Sequence, residues 1–399
     1  MRIIVLGGAG DMGSEAVRDL AKQADVEELV IGDYNERAAR ELAAEIGDER
    51  VSALKVDAND HDALVAAIRR FDVAASAVGP FYRFERKCAA AAIEAGVDYV
   101  SLCDDYDAAQ AVLELDSDAT YHDVTVLTGL GWTPGISNVL ARKAAEQLDQ
   151  VRRIEVAWGS SASDSEGRAV ILHTLHIFCG SVPSRQDGVL VNVPAGSGKE
   201  RVRFPQPLGD CNVFHLGHPE PVTLPLTYPD VRTVTLKGGL SEDMLNSLSR
   251  LVAKLRLSAT HGRRVVLAKV LKALLPVIGR VGRPAHPCSG IRVDVSGLRN
   301  GEDATITYGA ADNMDRLTGL PLAIGALMLG RGEITRRGVL APEACVPPDA
   351  FIAELAMRGI TVYQGDRLET VAADHRGTSH AAGVTAARPA AACQGRAHS

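Results

Sequence analysis

Gly8, Gly10 and Gly13 stand at the spacing G-x-G-x-x-G directly after the apolar run Arg2 to Leu6, and SEAVRDLAKQA behind them reads as a helix. A strand, a glycine turn and a helix in that order make a seat for a dinucleotide. Gly8 makes the tight turn, Gly10 lets the backbone approach a pyrophosphate, and Gly13 lets the helix pack closely on the strand. The phosphates then lie against the helix N-terminus, at Asp11 and Met12, where free N–H groups and the dipole favour negative charge. A glycine-rich turn alone can be only a turn, so the second acidic signal matters. The apolar run Glu28 to Ile31 leads into Gly32-Asp33-Tyr34, about twenty residues beyond the last glycine, where a carboxylate accepts hydrogen bonds from the adenosine ribose hydroxyls. Asp33 favours NAD and repels the 2′-phosphate of NADP, an effect that Arg37 and Arg40 on the next helix would partly offset. NAD is therefore the expected cofactor and NADP the second choice.

Four further apolar runs end in loops of unusual chemistry, and the carboxyl ends of strands are where such sheets collect function. Val56 precedes Asp57-Ala58-Asn59, placed to reach the adenine. Val78 precedes Gly79-Pro80-Phe81-Tyr82, a rigid turn at the height of the nicotinamide. Leu102 precedes Cys103-Asp104-Asp105, and Thr128 precedes GLGWTPGISN, which contains Trp132, Pro134 and Asn138.

These groups need a parallel sheet to bring them together. Strands are expected at Arg2–Leu6, Glu28–Ile31, Val51–Val56, Asp72–Val78, Val97–Leu102 and Val124–Thr128. Helices are expected at Asn35–Ile46, Asp60–Arg69, Phe84–Ala95 and Ala108–Tyr121. The alternation predicts an α/β Rossmann domain, a doubly wound parallel sheet covered on both faces.

Composition narrows the partners. Aromatic residues are 4% of the chain, the net charge is −7 and the pI is near 5.9, so neither nucleic acid nor an anionic membrane is expected. Seven scattered cysteines without a Cys-x-x-Cys pair fit reduced thiols, and the chain opens on a strand instead of a secretory signal. A cytoplasmic protein is expected. His173, His176 and Cys179, with Cys211, His215 and His218, are capable of binding a metal, but their spacing is looser than zinc pairs require, so no metal is expected.

Together, GGAGDMG, Gly32-Asp33, Asp57-Ala58, Gly79-Pro80-Phe81, the run AGVDYVSL and GLGWTPGISN resemble the saccharopine dehydrogenase-like NAD(P)-binding family. Within it, GRGEITRRGVLAPEACVPPDAFIAELAMRGI is similar to lysine 6-dehydrogenase-type members. The resemblance runs from Met1 to about Gln364 and is weak between Ser160 and Pro287. It implies a second, α+β domain on a mixed sheet, and C-terminal helices that return to the first domain. The expected organisation is a dinucleotide domain over 1–130, a substrate and dimerisation domain over 131–318, returning helices over 319–365 and a disordered tail over 370–399. In the second domain, Arg153–Trp158, Val189–Val193, Val231–Leu236, Ile291–Ser296 and Ala304–Tyr308 read as strands. Ser137–Gln147, Ser241–Leu255 and Arg264–Ile278 read as helices, and Asn300-Gly301 marks a hairpin. Val182 to Pro229 reads as several short strands joined by loops.

The chemistry implied by the resemblance is hydride transfer between a nicotinamide cofactor and the carbon of a C–N bond in an amino acid or amine. Oxidation of the lysine ε-amine to the semialdehyde leads. A saccharopine- or carboxynorspermidine-type reductase joining an amine and a carbonyl compound is the alternative, and a dinucleotide-binding sensor without turnover is the reading from another class. For the base and ammonium contact, Asp104 and Asp105 come first, since adjacent carboxylates raise one another's pKa. They could instead cap the helix that follows. His215, after Phe214, is the rival base, because an imidazole titrates near neutrality. Phe81, Tyr82, Trp132, Pro134 and Asn138 are the expected substrate walls and contacts, and Val78 joins Gly79 and Pro80 at the cofactor. Arg83, Arg168 and Lys237 are candidates for a substrate carboxylate. A homodimer is expected.

Overall fold

Short apolar runs alternating with amphipathic helices build the first half of the chain. The computed structural model describes residues 1–164, 167–254, 258, 260–278 and 288–370. The elements begin β1 (Arg2–Leu6), α1 (Asp11–Leu20), β2 (Glu28–Asp33), α2 (Glu36–Ile46), β3 (Val51–Lys55), α3 (His61–Ile68) and β4 (Val73–Ser76). Then come α4 (Phe81–Ala95), β5 (Asp98–Ser101), α5 (Tyr106–Leu113), α6 (Asp116–Tyr121) and β6 (Thr125–Leu127). The central part holds α7 (Ile136–Ala145), β7 (Gln150–Ser160), α8 (Arg168–Ile177), β8 (Ser181–Gln186), β9 (Val189–Pro194), β10 (Glu200–Arg203) and β11 (Asp210–His215). It continues with α9 (Glu220–Thr227), β12 (Thr233–Leu240), α10 (Asp243–Lys254), α11 (His261–Ile278), β13 (Ser289–Arg299) and β14 (Glu302–Asp312). The last stretch is α12 (Met314–Gly330), β15 (Gly338–Leu340), α13 (Pro342–Cys345), α14 (Pro348–Met357), β16 (Val362–Gln364) and β17 (Glu369–Thr370).

The first sheet is parallel throughout, in the order β15-β6-β5-β4-β1-β2-β3. Strand order reverses between β1 and β4, and the crevice at such a reversal is where α/β sheets bind ligands. The second sheet runs β10-β11-β12-β7-β13-β14-β16-β17, with the β8–β9 hairpin attached to β12. It is mixed, because β12 and β7 are parallel while their neighbours are antiparallel. Ile154, Val156 and Trp158 alternate inward along β7, and Ile291, Val293 and Val295 do the same along β13. The β13–β14 turn has Asn300 at φ 53° and Gly301 at φ 81°, the pair of left-handed residues that a two-residue hairpin requires.

The six strands expected in the first domain all form, and the C-terminal segment adds a seventh, β15, beside β6. That segment was expected to be helical, yet it also adds β16 and β17 to the second sheet. Helix α4 starts at Phe81, three residues earlier than expected, so Phe81 and Tyr82 occupy its first turn. The single helix expected over Ala108–Tyr121 is two, α5 and α6. Between Val182 and Pro229 the short strands form and are followed by α9, which was not anticipated, as α8 before them was not. The tail beyond Thr370 lies outside the described residues. Among the described residues, no helix is long and apolar enough to cross a membrane.

Helix α12 returns to the first domain by packing on α1, and glycine permits the close approach. A Cβ on Gly319 would lie 2.5 Å from the Met12 carbonyl oxygen and 2.7 Å from Glu15 Cβ. Gly319→Leu is expected to force the helices apart and cost about 2–3 kcal/mol of stability, read as a lower denaturant midpoint.

Candidate functional site

The glycine loop lies at the strand-order reversal. Gly7, at φ 70°, turns the chain out of β1, and the Gly10 N–H donates back to the Gly7 carbonyl at 3.1 Å. A Cβ on Gly13 would come within 2.3 Å of the Gly7 oxygen, so this glycine keeps α1 against the loop. Gly10 differs, because its Cβ would meet nothing nearer than 3.4 Å and its face is open. No side chain caps α1, which leaves the first-turn N–H groups of Asp11, Met12 and Gly13 for a phosphate. Asp33 Oδ2 accepts the Ala9 N–H at 3.1 Å and Oδ1 accepts the Asn35 N–H at 2.8 Å, so the carboxylate is held beside the loop. Tyr34 is exposed next to it, with the Lys55 ammonium 5.9 Å from its ring centroid. Asp57 accepts hydrogen bonds from Asn59, and Ala58 packs against the apolar cluster that contains Val56, Leu64 and Ala74. This open glycine, uncapped helix and tethered carboxylate fit a nicotinamide dinucleotide.

Beyond the loop, two domains meet around a cluster of ionisable groups. Asp105 is fully buried at the N-terminus of α5 but makes no capping hydrogen bond to that helix. Its Oδ2 accepts the Tyr82 N–H at 2.9 Å and its Oδ1 accepts the His173 Nδ1–H at 2.9 Å. Asp104 Oδ1 lies 3.2 Å from the same His173 nitrogen. One turn along α8, His176 Nε2 is 3.2 Å from Asp107. Burial works against a charged His173, but Asp104 and Asp105 outweigh it and push its pKa up to about 9. Enclosure raises Asp104 to about 7, His173 pulling it down and Asp105 pushing it further up. The 27% of the Asp104 side chain that remains accessible opens into a walled cavity, which is why desolvation still dominates.

That cavity holds about 250 Å³ and runs from Met12 and Gly79-Pro80 past Phe81 to Asp104 and His173, then on between Trp132, Trp158 and α10. His218 also lines it, 2% exposed, with its ring centroid 5.2 Å from that of His173. Burial holds His218 well below the ordinary imidazole range, with the His173 charge adding to the effect. Glu220 is also fully buried, accepting from Thr133 Oγ1 at 2.5 Å, and burial raises it to about 8.

The structure therefore gathers Met12, Gly79, Pro80, Phe81, Asp104, Trp132 and Pro134 around one cavity. It does not bring His215 there. The His215 imidazole sits at the end of β11 against Gly198, paired in register with Lys237, and burial lowers its pKa. Asn138 points inward, donating to Glu343 at 2.7 Å, and the Tyr82 hydroxyl meets His261 instead of the cavity. Arg83 also lies against His261, Lys237 pairs with Glu200 at 2.6 Å, and the Arg168 side chain lies outside the described residues. His173, read from the sequence only as a metal-capable group, is the partner of both aspartates. Its i, i+3 spacing with His176 on one helix was the available signal. Asp104, Asp105 and His173 present ligand atoms within 4.8 Å of one another. The shared ring nitrogen is already committed to the carboxylates, which makes an ion-paired cluster the better description.

Similarity to known proteins extends over nearly the whole chain. Residues 3–127 match the saccharopine dehydrogenase NADP binding domain, and residues 131–360 match the saccharopine dehydrogenase C-terminal domain. The carboxyaminopropylagmatine dehydrogenase of Synechocystis sp. is 23% identical over 390 residues, covering 90% of this chain and 96% of that protein. The apo saccharopine dehydrogenase (L-Glu forming) of Saccharomyces cerevisiae superposes with a TM-score of 0.65 at 16% identity, covering 93% of this chain and 100% of that one.

Gly10→Val should weaken NADH binding by about tenfold or more in a fluorescence titration, equivalent to about 1.4 kcal/mol. The melting curve should stay nearly unchanged, since a Cβ at Gly10 meets nothing nearer than 3.4 Å.

Proposed function

Because the chain belongs to the saccharopine dehydrogenase family, we propose that it is an NAD(P)-dependent oxidoreductase acting on the C–N bond of an amino acid or amine. The observation that carries this reading is the Asp104–His173–Asp105 cluster facing the cavity beside Gly79-Pro80. Two carboxylates against one imidazolium leave a net negative charge, which attracts a substrate ammonium. A bound nicotinamide supplies the hydride acceptor. Asp104 takes the proton from the substrate ammonium, the hydride leaves the neighbouring carbon, and water hydrolyses the resulting iminium to a carbonyl compound and ammonia, or an amine where the nitrogen carries a second carbon group. Asp105 keeps His173 charged and oriented, and Phe81, Trp132 and Pro134 exclude water from the reacting carbon. The reverse sequence would join an amine and a carbonyl compound, the second reading, which the carboxyaminopropylagmatine dehydrogenase relative supports.

Lysine is the first substrate to test. Its four methylenes suit the cavity and its ε-ammonium suits Asp104, although its α-carboxylate finds no arginine or lysine among the described lining residues. NAD is the proposed cofactor on the strength of Asp33, while the name of the matching domain points to NADP. Cys88, Cys103, Cys179, Cys211 and Cys345 form no disulfide, which supports a reducing, cytoplasmic setting. The homodimer stays part of the proposal, to be read by light scattering.

Asp104→Asn is expected to lower kcat by about 10²–10⁴-fold while leaving NADH affinity nearly intact. A base must be ionised to accept a proton, so wild-type kcat/KM should rise with pH through about 7 and level off above it. The variant should lose that limb. Asp33→Ala should weaken NAD binding and narrow its advantage over NADP, measured as the ratio of the two KM values.

A further inference from the structure

Past the Asp104–His173 cluster the cavity changes character. Trp132 and Trp158 line it with ring centroids 5.7 Å apart. Leu245, Leu248 and Val252 line it from α10, at the i, i+3 and i+7 spacing of one helical face. That face is turned inward by Asn246, whose Oδ1 accepts the Leu240 N–H at 2.8 Å and whose Nδ2 donates to the Leu240 carbonyl at 2.7 Å. Asn212 adds a second tether, donating to Asp243 at 2.8 Å. Among the described lining residues the ionisable side chains are Asp104, His173 and His218, and burial keeps His218 neutral.

Resting on the oxidoreductase reading, we propose that the preferred substrate is an amine carrying an alkyl or aryl chain and no second charged group. Its ammonium lies at Asp104, and its chain fills the slot between the two tryptophans and α10. A carboxylate in that slot would lose its hydration, with no arginine or lysine among the described lining residues to replace it. Each methylene, by contrast, is transferred from water to apolar surface. The exposed mouth of the slot is at Leu248, 39% accessible, where chain length is sensed last.

The test is the initial rate of NADH and NADPH formation with propylamine, pentylamine, heptylamine and phenethylamine, compared with lysine and saccharopine. Expected is a rise in kcat/KM of about fourfold per methylene, the equivalent of about 0.8 kcal/mol, with heptylamine above lysine. L248R should lower the heptylamine value about tenfold or more and raise that for lysine, whose carboxylate the new guanidinium can pair. A flat series, or faster turnover of lysine or saccharopine than of heptylamine by the wild type, overturns the proposal. If no compound is turned over, the oxidoreductase reading fails, and calorimetric titration of the same amines in the presence of NADH decides the slot separately. Affinity that climbs with chain length then supports it, and affinity that does not climb overturns it.

Discussion

The rest of the site depends on one buried charge. The Asp105 carboxylate has no exposed surface, so it must be fully hydrogen-bonded, and its donors come from different parts of the molecule. The Tyr82 N–H belongs to the first turn of α4 in the dinucleotide sheet's own layer, while the His173 imidazole belongs to α8, which follows the second sheet's β7. The two halves are thereby tied across the cleft at one carboxylate. Removing either partner would leave a buried charge uncompensated, the costly way to break an ion pair. With Asp105 committed, Asp104 is left as the carboxylate that faces the cavity. Its pKa is raised by enclosure first, with Asp105 adding to the rise and His173 opposing it.

The same logic continues behind the cavity, with hydroxyls in place of cations. Glu85 is fully buried and accepts from Ser101 at 2.5 Å, Tyr99 at 3.1 Å and Thr128 at 3.2 Å, and burial raises it to about 7. Glu220 is held by Thr133 and Ser137, and Glu343 by Asn138. Four of those donors, Thr128, Thr133, Ser137 and Asn138, come from the single segment between β6 and the first turns of α7. GLGWTPGISN therefore serves two purposes, presenting Trp132 and Pro134 to the cavity while Thr133, Ser137 and Asn138 fasten the interior. Its Gly131 and Gly135 make this possible, since a Cβ on Gly135 would lie 2.0 Å from the Gly131 oxygen.

Much of this was legible in the chain. Period and turn chemistry are local, so the six strands of the first sheet, the glycine loop, Asp33 and the Asn300-Gly301 hairpin could all be read before any contact was known. The errors lie where long-range contacts decide. Phe81–Arg83 looked like loop because Pro80 precedes them, yet proline is well suited to a helix entrance. β15 and β16 are three residues each, too short to show a period, and exist because neighbouring strands offer edges. His215 and His218 stand three residues apart in similar surroundings, and only the end of β11 and the entry into α9 send one to the outer sheet and the other to the cavity wall.

The sequence by itself determined the dinucleotide seat, the parallel sheet and the family, because each rests on residues close together along the chain whose backbone requirements are intrinsic. Tertiary structure alone decided which carboxylate is buried and which is presented, that His173 stands between them, and that α10 turns an apolar face into the cavity. Those outcomes depend on groups about seventy to one hundred and forty residues apart meeting in a water-poor interior, where partner and solvent access set charge.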